Sequence, residues 1–467
     1  MSRLICPPVA QIKCLMWATG GGNTAAYRKT KVVQKLSLPC YTRWFDEDTD
    51  PLEISVEGTH KRGLEVFMNI RMNGWDRSYT PTQTSIKVKV KDEHPEWLMG
   101  KLVDVGWQEY IWNYENKGPR DLKVAALTEV VENYDLDGVE LDYSRAAPFL
   151  PPGSAWEKRD YLTSMMRDVR ESLQNVAKKR GRPVLISTRV PSTIPGCHYD
   201  GIDIEEWVRQ NLIDMITVGS RAIGMEISEF KQMIGDKPIR LHASLDGGDP
   251  YHGPSGYETV PVEVYRGIAA NLLSQGADGI YLINWYFCSS VEKSKKAWGY
   301  LLNANKTGVE SQTQAIQEFG RLETMHLKDK IFPVGRRWGG GVFNIWQFFV
   351  NTNAFEPLPI ELPGGKFPAQ VYARVADNLA ELQEYIKSVE LRIQFSGPAK
   401  EQKIETKING TDAKNFEIKD GGWYIYNTRP MQYAVGKNMI SVRLPEPEKI
   451  DGEKISIEKV EVHVDYK

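Results

Sequence analysis

Between residues 12 and about 290, one pattern repeats along the chain: a short apolar run, a polar loop, and a longer stretch with apolar residues three and four apart. The short runs indicate buried strands, and the three-and-four spacing indicates helices. Strands that alternate with helices are typical of a parallel sheet with helices on its outside. The apolar runs occupy residues 12–17, 40–45, 64–71, 138–144, 183–190, 214–219, 239–246 and 279–286. Eight strands close a (β/α)8 TIM barrel, and this α/β fold is predicted for residues 1–304.

The intervening helices are clearest at residues 120–134, 158–179 and 262–276, where the apolar spacing is regular. The long insertion at residues 72–119 is rich in tryptophan and tyrosine. Loops that follow the strands of a TIM barrel build its active-site face. We therefore expect this insertion to form one wall of a cleft.

Beyond about residue 305 the pattern changes to strict alternation of apolar and polar residues, as in VELRIQF, WYIYN, NMISVRL and KISIEKVEVHVDY. Alternation of this kind indicates strands with one buried face. A C-terminal β-sandwich accessory domain is predicted for residues 305–467. The segment VADNLAELQEYIKSV differs from its surroundings, because its spacing is helical.

The composition narrows the class of partner. With 59 basic and 61 acidic residues the net charge is −2, which favours neither nucleic acid nor an anionic membrane as partner. The 13 tryptophans suit flat ligands such as sugar rings. The five cysteines are scattered without metal-ligand spacing, so no metal is predicted. The Gly-rich stretch TGGGNT lacks both the Lys-Ser/Thr end and the GxGxxG spacing of a phosphate loop, and no other cofactor is predicted. The oligomeric state is left open.

The chain carries no apolar segment of the roughly 18 residues that a membrane span needs, so no span is predicted. Its start, MSRLICPPVAQIKCLMW, lacks the unbroken apolar core of a signal peptide. Localisation therefore stays open, because export with a signal that has been removed is compatible with this start.

The stretch NYDLDGVELDYSR contains the most informative side chains. In a strand Glu140 and Asp142 share one face, which points inward in a barrel. Two buried carboxylates are costly unless they are paired or take part in chemistry. One interpretation is structural, with Arg71 and Arg189 pairing with the acids and bracing the barrel. The other is that the acids form a reaction centre.

The longer stretch DGVELDYSRAAP resembles the strand-four motif DGI-x-LDY-x-R-x-x-P of the bacterial glycosyl-hydrolase-like family 10 proteins, and HPEW and GADGIYLINWY are similar to further segments of that family. The family's members are (β/α)8 barrels related to glycoside hydrolases. The resemblance implies a glycoside hydrolase that cleaves O-glycosidic bonds in an oligo- or polysaccharide. Glu140 stands where the family motif leads us to expect histidine, which makes this chain a divergent relative.

The same strand also resembles the motif DG-x-D-x-D-x-E of the family 18 chitinases. Ser144 occupies the place of the glutamate that serves as the general acid there. Serine cannot protonate a leaving group at neutral pH. The resemblance therefore disfavours the chitinase mechanism, unless Glu140 or another carboxylate has taken over the role of acid.

Asp142 and Glu140 are the first candidates for catalysis, and glycoside hydrolysis normally uses a second carboxyl group across the scissile bond. Asp246, at the end of the seventh predicted strand, is the leading partner, followed by Asp249. An aspartate before Gly-Gly is also an ordinary turn residue. The predicted substrate-binding residues lie at strand ends and are Asn69, Arg71, Arg145, Arg189, His242, Asn284 and Trp285.

Two rival functions remain at this stage. The first is a catalytically inactive carbohydrate-binding barrel, which the serine at position 144 keeps open. The second is a barrel hydrolase of a non-sugar ester or amide, which ranks last because the sequence lacks a GxSxG nucleophile motif. The sugar, the linkage, endo or exo action and the stereochemistry are left open.

Overall fold

The computed structural model describes residues 10–18, 23–36, 39–73, 88–100, 111–144, 147–219, 222–246, 260–283, 285, 306–336, 356–362, 364–445 and 454–467. Its N-terminal part is built on a parallel sheet, and its C-terminal part on antiparallel sheets. Among these residues, the helices longer than one turn are α1 (Pro39–Asp46), α2 (Pro51–His60), α3 (Lys89–Glu93), α4 (Lys117–Asn133), α5 (Asp160–Arg180), α6 (Ile194–Tyr199), α7 (Ile204–Arg209), α8 (Ile227–Ile234), α9 (Val262–Ser274) and α10 (Lys306–Glu318).

The parallel sheet contains seven strands within the described residues. In spatial order they are β1 (Cys14–Ala18), β4 (Glu65–Arg71), β5 (Gly138–Asp142), β6 (Leu185–Val190), β7 (Met215–Val218), β8 (Arg240–Asp246) and β9 (Gly279–Ile283). Two further short strands, β2 (Thr24–Ala25) and β3 (Gln34–Lys35), pair only with each other. The order follows the chain, as expected for successive β/α units.

The sheet curls strongly, because side chains from distant strands meet inside it. Tyr281 of β9 donates a hydrogen bond of 2.8 Å to Glu140 of β5. Near the opposite ends of the strands, Arg240 of β8 lies 3.8 Å from Glu65 of β4. The concave face of the sheet therefore encloses an interior.

Seven of the eight predicted strands are confirmed, and the one at residues 40–45 is wrong. These residues belong to α1, and β1 pairs directly with β4. The sequence carries a helical signal here, since Tyr41, Trp44 and Phe45 are three and four apart and Pro39 opens the helix. The three clearest predicted helices are confirmed as α4, α5 and α9.

The two faces of the curled sheet differ in character. The outer face carries aliphatic residues such as Val139, Leu141 and Ile186, which are fully buried beneath the helices. The inner face carries Asn69, Glu140 and Arg189, which are also buried. Strand alternation separates the two sets. The polar residues of the motif therefore share the interior of the sheet.

The described residues of the C-terminal part form two antiparallel sheets. The larger has the order β10 (Lys330–Pro333), β19 (Ser456–Tyr466), β13 (Ile386–Ser396), β17 (Trp423–Thr428) and β16 (Phe416–Lys419), with β11 (Ile360–Glu361) also paired to β19. The smaller has the order β12 (Ala369–Val375), β18 (Gly436–Arg443), β14 (Glu405–Ile408) and β15 (Thr411–Asp412). All four alternating segments singled out in the sequence contain strands.

The helical pattern in residues 375–389 was misleading. Only one 3-10 turn, Gln383–Tyr385, forms there, and β13 begins at Ile386. Ile386 and Val389 are buried in that strand, where β13 pairs with β19. Long-range strand pairing thus prevails over local helical spacing.

The two parts of the chain contact each other through α9. Arg266 of α9 binds Glu318 of α10 through a buried ion pair of 2.7 Å. On the same helix Gly267 touches β10, since a Cβ atom there would lie 1.9 Å from the carbonyl oxygen of Ile331. Glycine thus allows β10 to pack directly on the helix backbone.

Among the described residues, no helix combines the length and the apolar character that crossing a membrane requires.

Candidate functional site

The interior of the curled sheet is layered along the strands. Glu65 and Arg240 meet at the amino ends of their strands. The next inward residues, Phe67 and Met215, are apolar and buried. Gly138 lies in the same layer, where a Cβ atom would come within 2.2 Å of the Phe67 ring. Polar side chains follow only beyond this apolar layer, toward the carboxyl ends, where TIM barrels carry their active sites.

Glu140 is the centre of the polar layer. Its Oε1 accepts hydrogen bonds from Asn69 Nδ2 at 2.7 Å and from the Tyr281 hydroxyl at 2.8 Å. Its Oε2 accepts from Ser187 Oγ at 2.9 Å and from Thr217 Oγ1 at 3.4 Å. The four donors come from β4, β9, β6 and β7, so the carboxyl group connects strands around the curled sheet.

Burial raises the pKa of Glu140, whose side chain is 0% exposed. The positive charge of Arg189 and the hydrogen bond from Asn69 favour the ionised form, but they do not outweigh the desolvation. The negative charge of Asp142 acts in the same direction as burial. Glu140 therefore holds a proton to higher pH than an ordinary glutamate does.

Asp142 has a different environment two residues further along the strand. Arg189 Nε donates to its Oδ1 at 3.0 Å, and Arg189 Nη2 donates to its Oδ2 at 2.9 Å. Both side chains are buried. The backbone N–H of Ser144 donates a further hydrogen bond of 2.9 Å to Oδ1. A bidentate guanidinium and a backbone N–H stabilise the negative charge of Asp142.

Tyr281 lies beside both groups. Its hydroxyl contacts Glu140, and the guanidinium carbon of Arg189 lies 5.8 Å from the centre of its ring. Burial and the nearby charge of Glu140 raise the pKa of Tyr281 well above its usual value. The hydroxyl thus keeps its proton and remains a hydrogen-bond donor.

Ser144, at the position of the chitinase acid, is fully buried. Its hydroxyl donates to the carbonyl oxygen of Val190 at 2.9 Å. It is therefore engaged with the backbone of β6 rather than with an open site.

The predicted substrate-binding residues have different surroundings. Asn69 and Arg189 bind Glu140 and Asp142, respectively. The two acids and the side chains that contact them are called here the carboxylate cluster. Burial lowers the pKa of His242 to about 4, so its ring is neutral near pH 7. Arg71 lies opposite Asp142 in the strand register, and its carbonyl oxygen accepts a hydrogen bond from the buried Lys123. The bidentate pairing of Arg189 with Asp142 agrees with the structural interpretation, in which Arg189 braces neighbouring strands.

Trp285 packs against two other rings. Its ring centre lies 5.0 Å from that of Tyr265 on α9 and 6.2 Å from that of Phe319, just after α10. These contacts are those of a core residue. A role for Trp285 as a sugar platform stays a prediction.

The remaining predicted site residues lie outside what the structure describes. Arg145, Asp249 and Asn284 are not among the described residues. For Asp246 the backbone alone is described, and it ends β8 opposite Ile283 of β9. Its assignment as the second carboxylate therefore stays a prediction.

Sequence reasoning missed three of the donors that surround Glu140: Ser187, Thr217 and Tyr281. A signal for them was present. Each lies on a predicted strand, and Ser187 is two residues before the inward Arg189. Extending the inward alternation along every predicted strand would have included them.

No group of three or more His, Cys, Asp or Glu side chains suited to a metal ion occurs in the part of the chain that the structure describes.

No protein-family model and no curated protein matches the sequence. Solved structures with a similar chain path include alpha-L-fucosidase isoenzyme 2 from Paenibacillus thiaminolyticus, with 15% identity and a TM-score of 0.44 over 69% of this chain and 46% of that one. This chain thus spans less than half of the fucosidase chain.

Two more similar structures are the glycoside hydrolase domain of a PelA variant from Pseudomonas aeruginosa and a family GH18 chitinase from Chromobacterium violaceum. The first is 10% identical with a TM-score of 0.36, covering 58% of this chain and 93% of that one. The second is 10% identical with a TM-score of 0.32, covering 90% and 77%. At such low similarity, the function must be inferred from the geometry of this chain itself.

Proposed function

We propose that this chain is a glycoside hydrolase that cleaves O-glycosidic bonds in an oligo- or polysaccharide, with Glu140 and Asp142 at its reaction centre. One observation carries the proposal. Two buried carboxyl groups two residues apart on one strand have different partners, since Glu140 accepts hydrogen bonds from neutral amide and hydroxyl groups and Asp142 is held by the guanidinium of Arg189. Environments that separate the proton affinities of two acids are the means by which enzymes assign acid and base roles.

In this proposal Glu140 is the proton donor, because burial raises its pKa and it therefore keeps a proton to higher pH than an ordinary glutamate does. The protonated form still has partners. The hydroxyl groups of Ser187 and Thr217 can accept a hydrogen bond as well as donate one. Proton loss to a leaving oxygen then restores the arrangement with four donors around the carboxylate.

Asp142 supplies the fixed negative charge that an oxocarbenium-like transition state needs. The charge is kept in place by the guanidinium of Arg189. The proposal takes Asp246 as the second carboxylate, since β8 ends there and β5 ends at Asp142, so both residues stand at the carboxyl ends of their strands.

Ser244 adds support for a ligand inside the sheet. It is paired in register with Tyr281, and its buried hydroxyl has no hydrogen-bond partner among the described residues. Buried polar groups nearly always have a partner in protein or water. A substrate hydroxyl would supply one in the layer that contains Tyr281.

The proposal extends to the architecture. The seven-stranded curled sheet is taken as the main part of a (β/α)8 barrel over residues 1–304, and the two antiparallel sheets as a β-sandwich accessory domain over residues 305–467. Within glycoside-hydrolase-like barrels, the motif DGVELDYSRAAP supports a divergent relative of the bacterial family 10 proteins.

A second function, a catalytically inactive carbohydrate-binding barrel, is favoured by one specific observation. Glu140 is 0% exposed, and both oxygens of each acid already have partners within the protein. Such an arrangement can serve as a brace without chemistry.

Release of reducing ends across a panel of plant, fungal and bacterial polysaccharides tests the two functions against each other. A glycoside hydrolase is expected to release new reducing ends from at least one substrate, with a rate proportional to enzyme concentration. Binding without release would favour the inactive barrel. Neither release nor binding across the panel would contradict both.

A further inference from the structure

A groove of about 570 Å³ lies on the larger antiparallel sheet, far along the chain from the carboxylate cluster. Its lining includes Arg392, Lys419, Asp420, Trp423, Ile425 and Glu461. We propose that this groove, named here the sheet groove, binds a neutral saccharide. The inference goes beyond the proposed function, because it concerns binding at a second place and requires no bond cleavage.

Strand register brings the groove residues onto one face of the sheet. Trp423 of β17 lies opposite Gln394 of β13, which lies opposite Lys459 of β19. Ile425, Arg392 and Glu461 form the row two residues away in the same three strands. Because alternate residues of a strand share a face, both rows point to the same side.

Glu461 provides the feature that points to a ligand. The residue is only 4% exposed although it lines the groove. Its Oε2 pairs with His463 Nε2, whereas its buried Oε1 has no hydrogen-bond partner among the described residues. Arg392 pairs with Glu390 instead, since its Nε lies 2.8 Å and its Nη2 2.6 Å from the Glu390 carboxylate. A buried carboxylate oxygen without a hydrogen-bond partner destabilises the fold, so a ligand that donates a hydrogen bond to it would bind favourably.

The rim of the groove is held by a tight turn. Asp420 is followed by Gly421 and Gly422, both at a φ of 77°, between β16 and β17. A Cβ atom on Gly422 would lie 2.3 Å from the carbonyl oxygen of Phe395. Gln394 Nε2 donates to the carbonyl oxygen of Gly421 at 2.9 Å. The position of Asp420 is therefore fixed by close backbone packing.

The charges of the groove select the class of ligand. An anion would face Asp420 and Glu461, and a cation would face Arg392 and Lys419. A neutral molecule rich in hydroxyl groups avoids both penalties, because hydroxyls donate to carboxylates and accept from guanidinium or ammonium groups. The partly buried Trp423 ring offers an apolar surface for the flat face of a sugar.

Native electrophoresis of the full chain through gels that contain a neutral polysaccharide tests the proposal. The probes are hydroxyethyl cellulose, laminarin, galactomannan, xylan and dextran, with alginate as an anionic comparison. The variants are Trp423→Ala and Asp420→Ala in the groove, and Glu140→Gln in the curled sheet. Tyr372→Ala is the matched control, because Tyr372 is an exposed aromatic residue on β12 of the other sheet. Thermal unfolding of each variant verifies that it is folded.

At least one neutral probe is expected to retard the wild-type chain, with an apparent Kd that rises at least about tenfold in Trp423→Ala. Tyr372→Ala should remain within about twofold of the wild type. If Trp423→Ala is unfolded, the retardation of Asp420→Ala tests the proposal instead, because Asp420 lies in an exposed turn where the change should not disturb the fold.

The proposal is overturned if no neutral probe retards the chain, if alginate alone does, or if the groove variants migrate as the wild type does. Loss of retardation in Glu140→Gln with the groove variants unaffected would place the binding in the curled sheet instead. None of these outcomes depends on hydrolysis, so the failure of this inference is distinct from the failure of the proposed function.

Discussion

Arg189 and Asp142 form a bidentate ion pair inside the curled sheet, with Nε to Oδ1 at 3.0 Å and Nη2 to Oδ2 at 2.9 Å. The pair joins neighbouring strands β5 and β6, since the two residues are opposite each other in the register. The pair fixes a negative charge beside Glu140. Each of its two buried charges also needs the other, because a buried charge without a partner destabilises the fold.

Replacing Arg189 by methionine should leave the carboxylate of Asp142 buried without its partner. Breaking a buried pair in this way costs about 3–5 kcal/mol of unfolding free energy. Urea denaturation measures the loss. Arg443→Met is the matched control, because Arg443 pairs with Glu405 at a partly exposed site of β18. That variant should lose no more than about 1 kcal/mol. Equal losses in the two variants would show that the Arg189 pair is no stronger than a surface pair.

Glu140 should make the stability of the fold depend on pH. Its pKa is raised in the folded state, so its favourable contribution is complete below the unfolded-state pKa of about 4.3 and is lost as the pH rises through the folded-state pKa. Glutamine fits the same position, since its amide can donate to the hydroxyls of Ser187 and Thr217.

We therefore expect the wild type to lose stability relative to Glu140→Gln as the pH increases from 4 to 8. Urea denaturation of both proteins at each pH gives the difference. Burial raises the pKa of Asp200 to about 8. Asp200 is present in both proteins, so its contribution to the pH dependence of stability cancels in the difference. A difference that stays constant with pH would contradict the raised pKa of Glu140.

Gly267 should not tolerate a side chain. A Cβ atom there would lie 1.9 Å from the carbonyl oxygen of Ile331, so Gly267→Ala must displace α9 from β10 at a cost of about 1–3 kcal/mol. Gly58→Ala is the control within helix α2, where the nearest atom, on the Arg62 side chain, is 3.6 Å away. That change should be neutral or stabilising by up to about 1 kcal/mol. Similar thermal midpoints for the two variants would argue against close packing of α9 on β10.

Periodicity was sufficient to predict the parallel strands and the inward position of Glu140 and Asp142. Side chains alternate between the two faces of a strand, so residues 140 and 142 lie on one face independently of the rest of the sequence. Residues 40–45 show its limit, because a short apolar run is compatible with strand or helix, and the spacing of Tyr41, Trp44 and Phe45 decided for helix α1.

The side-chain contacts of Glu140 and Asp142 were harder to predict than their position in the strand. Tyr281 is 141 residues from Glu140 along the chain and reaches it only because the sheet curls. The ion pair of Asp142 with Arg189 depends in the same way on the register of β5 against β6. The sequence could name Arg189 as a partner, but it could not distinguish Asp142 from Glu140 as the acid that Arg189 binds.

The role of Glu140 as proton donor can be tested with aryl glycosides, once a sugar specificity is known. Glu140→Gln removes the ionisable group, so the alkaline limb of the pH profile of kcat/KM should disappear. The loss of kcat should be about 10²–10⁴-fold on poor leaving groups and much smaller on activated ones, which need little protonation. Equal losses on good and poor leaving groups would identify Glu140 as a positioning residue. The search for the donor would then move to Asp246.

The most direct measurement is the turnover of Asp142→Asn on a substrate that the wild type hydrolyses, expressed per folded molecule as judged by near-ultraviolet circular dichroism. Asp121→Asn is the control, because Asp121 is an exposed carboxylate on α4 paired with Lys117. A reaction centre that includes Asp142 predicts a decrease in kcat of at least about a hundredfold, with Asp121→Asn unchanged. A folded Asp142→Asn variant with near wild-type turnover would contradict the assignment and reduce the ion pair with Arg189 to a structural brace.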